Sequence, residues 1–298
     1  MKKDAARGPY TAKGIGIVPI FIRTFFSRRA IGPLFRYLTT VMRDFFFLQF
    51  AVKFGFKKIP VINVDHPLDE KVPFTPEKVS VYLDFVAFWI RPLGYIGKRF
   101  GRKAQVEYTA RFLTLVDRCY RDAAEVYRFR MTTTNRPKYY KGSFRTIHMF
   151  DPHYLCVPSL HVIIVVLAYT FYRRAFAELG MGKDEVEALN AEMFTGAVSI
   201  TETVLYIKQH SVNCIPAALY AMTRITPESV TPVDVMEFIK HLFAESDSVS
   251  REDAGRIRMY IADMYEILYL EGCHDSTWVA PLQRFLSNYP KVAAAATV

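Results

Sequence analysis

Three short fragments carry residue types that do chemistry in other proteins: Asn135-Arg136-Pro137, Pro158-Ser159-Leu160-His161 and Lys208-Gln209-His210. Neutral imidazole is a nucleophile and a proton carrier near neutral pH, and Arg and Lys supply the positive charge that an anionic ligand requires. A lone His at the end of an apolar helix is commonly a core or capping residue, because the ring hydrogen-bonds readily to backbone. Two such histidines, each ending an apolar stretch and each close to a potential anion-binding residue, point beyond that to a shared polar site. Cys273-His274-Asp275 is a fourth grouping, but adjacent residues rarely converge on one substrate atom, so it reads as a solvated turn.

The elements that must position these fragments are helical. Apolar runs of helical length recur, and few Val/Ile/Thr alternations of strand type interrupt them. The best run is Tyr154 to Tyr172, although Pro158 and His161 lie within it; weaker ones are Ile31 to Phe54, Val79 to Ile96, Phe194 to Ile207 and Ser211 to Thr223. A secure membrane-crossing helix needs about 18 or more apolar residues with few charges. None meets that cleanly, and the ionisable groups within these runs, among them Arg43, Asp84, Arg91 and Glu202, would have to face a bundle interior or a polar cavity. Ile59 to Pro76 and Thr132 to Pro158 are rich in Pro and turn residues and read as loops, with long ordered loops tending to be functional.

Composition narrows the classes further. The chain has 298 residues, 51% of them apolar, with 42 Phe and Tyr and a net charge of +10, which excludes a disordered chain and a disulfide-stapled miniprotein. Cys119, Cys156, Cys214 and Cys273 lie far apart with no CxxC pair, so neither a zinc ribbon nor a disulfide framework is indicated. Residues 1–60 hold twelve Lys or Arg against Asp4 and Asp44, while residues 226–298 hold six basic and eleven acidic residues. The basic arm is interleaved with Ile15 to Ile22, Phe25-Phe26 and Phe45 to Val52, which suits anionic lipid headgroups rather than nucleic acid. Arg23, Arg28 and Arg29 interrupt any secretory leader. Thr231-Pro232-Val233-Asp234 and Ser250 with Asp253 are helix starts. Ile257, Tyr260, Ile261, Met264, Ile267 and Leu268 then form one apolar face of an amphipathic helix.

At this point the sequence resembles the phosphatidic acid phosphatase type 2 superfamily, whose members share an Arg-Pro motif, a Pro-Ser-x-His motif and a later His. VPSLHV at 157–162 and YIKQH at 206–210 are close to variants of its lipid phosphatase and phosphotransferase branch, and PLDEKVPFTPEKVSVY from Pro67 to Tyr82 looks like that branch's extended segment. The likeness covers roughly residues 60–225. It implies that His210 is the nucleophile forming a phosphohistidine, that His161 is the general acid, that Arg136 and Lys208 clamp phosphate oxygens, and that Ser159 donates a hydrogen bond to the phosphate. No metal and no cofactor enter that scheme.

Two departures bear on activity. The family pattern places Asp four residues after the nucleophilic His, to hold its tautomer, and here that position is Cys214, with Asn213 pointing about 100° away on a helix. The cation seven residues before Arg136 is Phe129, flanked by Arg128 and Arg130. The expectation is therefore an all-α, membrane-associated helical bundle of the phosphatidic acid phosphatase type with a helical C-terminal appendage. Residues 1–58 would be a basic, apolar membrane-associated segment, residues 59–225 the core carrying the site, and residues 226–298 an acidic soluble region. The expected partners are the membrane and a lipid or polyprenyl phosphate, with hydrolysis or transfer of its phosphoester. A weakened relative that binds lipid phosphate without turnover is the alternative. The positive-inside argument puts the N-terminus and the cluster Lys98, Arg99, Arg102 and Lys103 in the cytoplasm and the site on the extracytoplasmic side.

Overall fold

The computed structural model describes residues 10–295, so Lys2, Lys3, Asp4 and Arg7 of the basic arm lie outside it. In chain order the elements are α1 (Val18–Phe25), α2 (Ile31–Thr40), a π-helical segment (Val41–Phe47) leading without a break into α3 (Leu48–Lys53), β1 (Val61–Asn63), α4 (Val79–Leu83), α5 (Phe85–Phe129), β2 (Met131–Thr133), α6 (Ser143–Phe150), α7 (Leu160–Glu178), α8 (Lys183–Tyr206), α9 (Cys214–Ile225), α10 (Pro232–His241), α11 (Arg251–His274) and α12 (Ala280–Ala295). The fold is all-α, as its apolar periodicity predicts.

The core is a bundle of α5, α7, α8 and α9. Gly101 divides α5 into two arms, with φ 84° and ψ 174°, a left-handed geometry that a Cβ would strain. Phe88 packs so closely on α8 that a Cβ on Gly196 would lie 2.5 Å from its ring. Tyr172 on α7 donates to the Trp89 carbonyl on α5 at 2.6 Å. Beside the Gly101 bend, Tyr95 and Arg99 meet Glu185 at 2.7 and 3.3 Å, and Arg111 pairs with Glu178 at 2.7 Å. The end of α7 and the start of α8 therefore lie at the basic end of the bundle. Helix α7 has 19 residues, so its N-terminus is about 28 Å away, at the other end.

Both predicted loops contain structure. Strand β1 pairs in parallel with β2 in the register Val61↔Met131. Thr132 also bridges to the chain around Leu155, its Oγ1 accepting from Val157 N at 2.8 Å. One short strand thus fixes the segments carrying Arg136 and Ser159 relative to each other. Helix α6 was not legible because its Gly142 start has no capping side chain and it holds only eight residues. The apolar run from Tyr154 becomes helical only at Leu160, where Ser159 caps the end by accepting from Val162 N at 3.4 Å.

The C-terminal region is built into the bundle rather than appended to it. The ring of Tyr169 on α7 stacks on Phe238 at 5.8 Å, Arg173 pairs with Asp234 at 2.7 Å, and Tyr220 on α9 donates to the Trp278 carbonyl at 2.8 Å. Thr231 and Ser250 cap α10 and α11 as the sequence predicts. The buried stripe of α11 is Ala254, Ile257, Ile261, Tyr265, Leu268 and Gly272, so Ile267, expected on it, is exposed and Tyr265 takes the inward position.

Two helical stretches, Pro76–Phe129 and Leu160–Glu178, are long and apolar enough to cross a membrane, and most of the latter is buried within the bundle. The second arm of α5 turns Glu107, Arg111, Arg121, Glu125 and Arg128 outward.

Candidate functional site

His161 and His210 come together at the bundle end opposite the Gly101 bend. His161 stands on the first turn of α7, and its ring packs between Tyr82 and Phe85, with centroids 4.6 and 4.7 Å away. His210 lies in the turn that closes α8, where the His210 and Gln209 N–H groups both donate to the Val204 carbonyl. The two imidazoles are 5.5 Å apart between centroids and inclined at 67°.

Ser159 Oγ lies 3.3 Å from His210 Nε2. Nδ1 of His210 is buried without a hydrogen-bond partner. No side-chain carboxylate reaches the ring from that side, and the Cys156 backbone is the polar group beside it. Burial pushes the His210 pKa down to about 3, the neighbouring His161 adding to the fall and the Cys156 backbone opposing it. The ring is held neutral. Cys214 is the first residue of α9, fully buried, and its Sγ accepts from Ser211 N at 3.4 Å. Asn213 is committed elsewhere: its amide donates to the Val64 carbonyl at 3.0 Å and to Tyr289 Oη at 2.8 Å, and it accepts from Tyr260.

Arg136 reaches the site from the segment after β2. Its guanidinium donates to Gln209 Oε1 and to the Asp151 carbonyl, each at 3.0 Å. Lys208 does not reach it. With φ 56° its side chain turns to the 67–72 loop, where Nζ donates to the carbonyls of Asp69 and Val72. The structure thus places Lys208 away from the phosphate-clamping position expected for it, because the carbonyls of Asp69 and Val72 claim the ammonium. Arg128 and Arg130, flanking Phe129, are likewise engaged, with Asp44 at 2.5 Å and the Leu286 carbonyl at 2.9 Å. Arg136 is the one cation among these that faces the histidines.

Several neighbours escaped sequence reasoning. His153 is buried at φ 66°, its Nε2 2.7 Å from Thr134 Oγ1 and its backbone N–H donating to Asp151 Oδ1 at 2.9 Å. Burial, reinforced by Arg136, pushes its pKa well below the ordinary value. Asp69 holds the chain beyond His210, accepting from Val212 N at 2.7 Å and from His66 N at 2.8 Å, and burial raises its pKa to about 6 against those bonds. The only sequence signal for either was a polar residue inside a Pro-rich loop.

A cleft of about 20 Å³ lined by Asp151, His153, Cys156, His161, Gln209 and His210 forms the polar floor. That holds roughly one water rather than a phosphate group. Sharing Phe45, Tyr82, Asp151, Leu160 and His161 with it is a mainly apolar groove of about 400 Å³, whose lip includes Leu83 and Phe150. Among the described residues no group of three or more His, Cys, Asp or Glu side chains is placed to hold a metal ion. No family model matches the chain, and neither a curated protein nor a solved structure is similar to it.

Proposed function

We propose that this protein binds and turns over the phosphoester of a lipid or polyprenyl phosphate. His210 Nε2 takes the phosphoryl group as the ester P–O bond breaks, and His161 gives a proton to the leaving oxygen. Water or another alcohol then attacks phosphorus and frees His210. Arg136 holds two equatorial oxygens and Ser159 donates to a third. The observation that carries this reading is the meeting of two histidines from separate helix ends at the floor of an apolar groove, with an Arg fork one residue from the nucleophile. A polar floor beneath an apolar groove suits a ligand with a phosphate head and a hydrocarbon tail. Lys208 is left to hold the 67–72 loop.

A second reading, binding of lipid phosphate without turnover, is favoured by Cys214, which stands where the resemblance expects the orienting Asp. Removing the orienting acid from a His-based site costs about 10⁴ in the serine-protease template. Phosphate release from a panel of lipid phosphates by detergent-purified protein separates the two. If turnover occurs, His210→Ala abolishes it, while His161→Ala spares esters whose leaving group needs no proton. If it does not, Cys214→Asp is expected to raise it. A folded Cys214→Asp protein that binds vanadate and releases no phosphate leaves the binding-only reading.

Two placements suit a membrane substrate. In a spanning arrangement the Lys98–Lys103 end and the N-terminus are cytoplasmic and the histidine end extracytoplasmic. The charged outer face of the second α5 arm favours an interfacial seat instead, because five ionisable side chains on one helix face are costly in hydrocarbon.

A further inference from the structure

Helix α1 is amphipathic with its apolar side turned outward: Val18, Phe21, Ile22 and Phe25 recur at helical spacing and are 42 to 64% exposed. On α2 and the π-helical segment that follows it a second stripe, Phe35, Leu38 and Met42, is 45 to 52% exposed and leads toward Phe46, which lines the groove above His161. The Phe25 ring lies 5.3 Å from Phe26 and 6.2 Å from Phe35, so the two helices share one aromatic surface. A soluble chain rarely leaves such a contiguous apolar surface open.

The charges on this face identify what covers it. Residues 10–60 hold nine Lys or Arg, and the one acidic side chain, Asp44, is buried in pairs with Arg43 and Arg128. Arg23, Arg28, Arg29 and Arg36 stand exposed among the aromatic rings. A second copy would bring like charge against like charge. An anionic lipid surface complements it, with rings entering the acyl boundary and guanidinium groups at the headgroups. Away from the α1–α2 helices, the outer faces of the second α5 arm and of α11 expose Glu107, Glu125, Glu252 and Asp263 alongside Arg side chains, a mixed-charge surface suited to water.

We infer that the α1–α2 face is an interfacial seat on an anionic membrane, holding the whole chain on one side of the bilayer. The groove then opens beside the lipid, since Leu83 and Phe150 at its lip are themselves 51 and 57% exposed. A lipid would enter from the membrane edge without crossing bulk water, its head on the polar floor and its tail in the groove. This inference does not depend on whether the histidine site turns over.

Flotation of the purified full chain with phosphatidylcholine vesicles, with and without phosphatidylglycerol, tests the seat. Binding is expected only with the anionic lipid. It should fall at least tenfold in Phe25→Ser/Phe26→Ser/Leu38→Ser and in Arg28→Glu/Arg29→Glu, both retaining native circular dichroism since every changed side chain is exposed. Binding unchanged in either folded variant overturns the seat. So does a dimer that dissociates in the aromatic variant while vesicle binding persists, which would assign the face to a second copy. Labelling decides the topology: in a Cys273→Ser background, Lys98→Cys at the basic end and Lys138→Cys at the histidine end should react with an impermeant maleimide from the same side of sealed membranes. Reaction from opposite sides means that the chain spans the bilayer and the inference is wrong.

Discussion

Acidification should unfold this protein partly through one ring. His210 is held neutral with a pKa of about 3, against 6.5 in the unfolded chain. A lowered histidine pKa contributes stability that is present above the unfolded value and is lost as the pH falls toward the folded one. At ~1.36 kcal/mol per unit the full gap is about 5 kcal/mol, of which about 2 kcal/mol disappears between pH 7 and pH 5. Asp69 runs the other way: its raised pKa of about 6 gives stability that is complete below the ordinary carboxylate range and is lost as the pH rises through 6. Comparison with His210→Gln cancels Asp69 and His153, which both proteins share. In urea unfolding followed by the fluorescence of Trp89 and Trp278, the native protein should lose about 2 kcal/mol more than His210→Gln over that interval, or several degrees in melting temperature. Cys214→Asp should shrink the loss, because a carboxylate in the first turn of α9 is favoured by the helix end and stabilises an adjacent imidazolium. Equal pH dependence in the native and His210→Gln proteins would refute a neutral, buried His210 and the missing-acid explanation with it.

Other perturbations bear on the site and on the fold. Arg136→Ala should weaken vanadate binding by about 10- to 100-fold in calorimetric titration, as expected for loss of charge-assisted hydrogen bonds of about 1.5–3 kcal/mol, while Lys208→Ala leaves affinity nearly unchanged because that ammonium serves the 67–72 loop. Asn213→Ala strips the Val64 carbonyl, Tyr260 and Tyr289 of a shared partner and should cost about 2–3 kcal/mol in urea unfolding. Gly272→Ala would drive a Cβ into the phenol of Tyr220 and force α11 away from α9, an overpacking cost of about 1–3 kcal/mol that lowers the melting temperature of the whole chain. Separate melting of the C-terminal helices in that variant would mean that they are an independent unit.

The helical class and the caps at Thr231 and Ser250 were legible in the sequence, because apolar periodicity and capping chemistry act over a few residues, while the grouping of Arg136, His161 and His210 was what the family resemblance implied. The two histidines sit 49 positions apart, yet each ends an apolar run, and in an antiparallel bundle such ends meet. Tertiary structure alone decided which polar atoms are already taken. Lys208 reads as an anion ligand in YIKQH until a left-handed turn delivers it to the carbonyls of Asp69 and Val72. Asn213 reads only as a neighbour of the orienting position turned about 100° away, and Tyr260 and Tyr289, from the region expected to be an appendage, claim it. On α11 Tyr265 takes the inward position and Ile267 the outward one, because the stripe that packs runs through Ile257, Ile261, Tyr265 and Leu268 at helical spacing. The exposed aromatic surface of α1 and α2 was visible as composition but not as a face, since a Phe-rich helix reads the same whether its rings enter a core or leave it. Contacts between residues distant in the chain set these outcomes, and no local pattern encodes which of several polar or apolar partners wins.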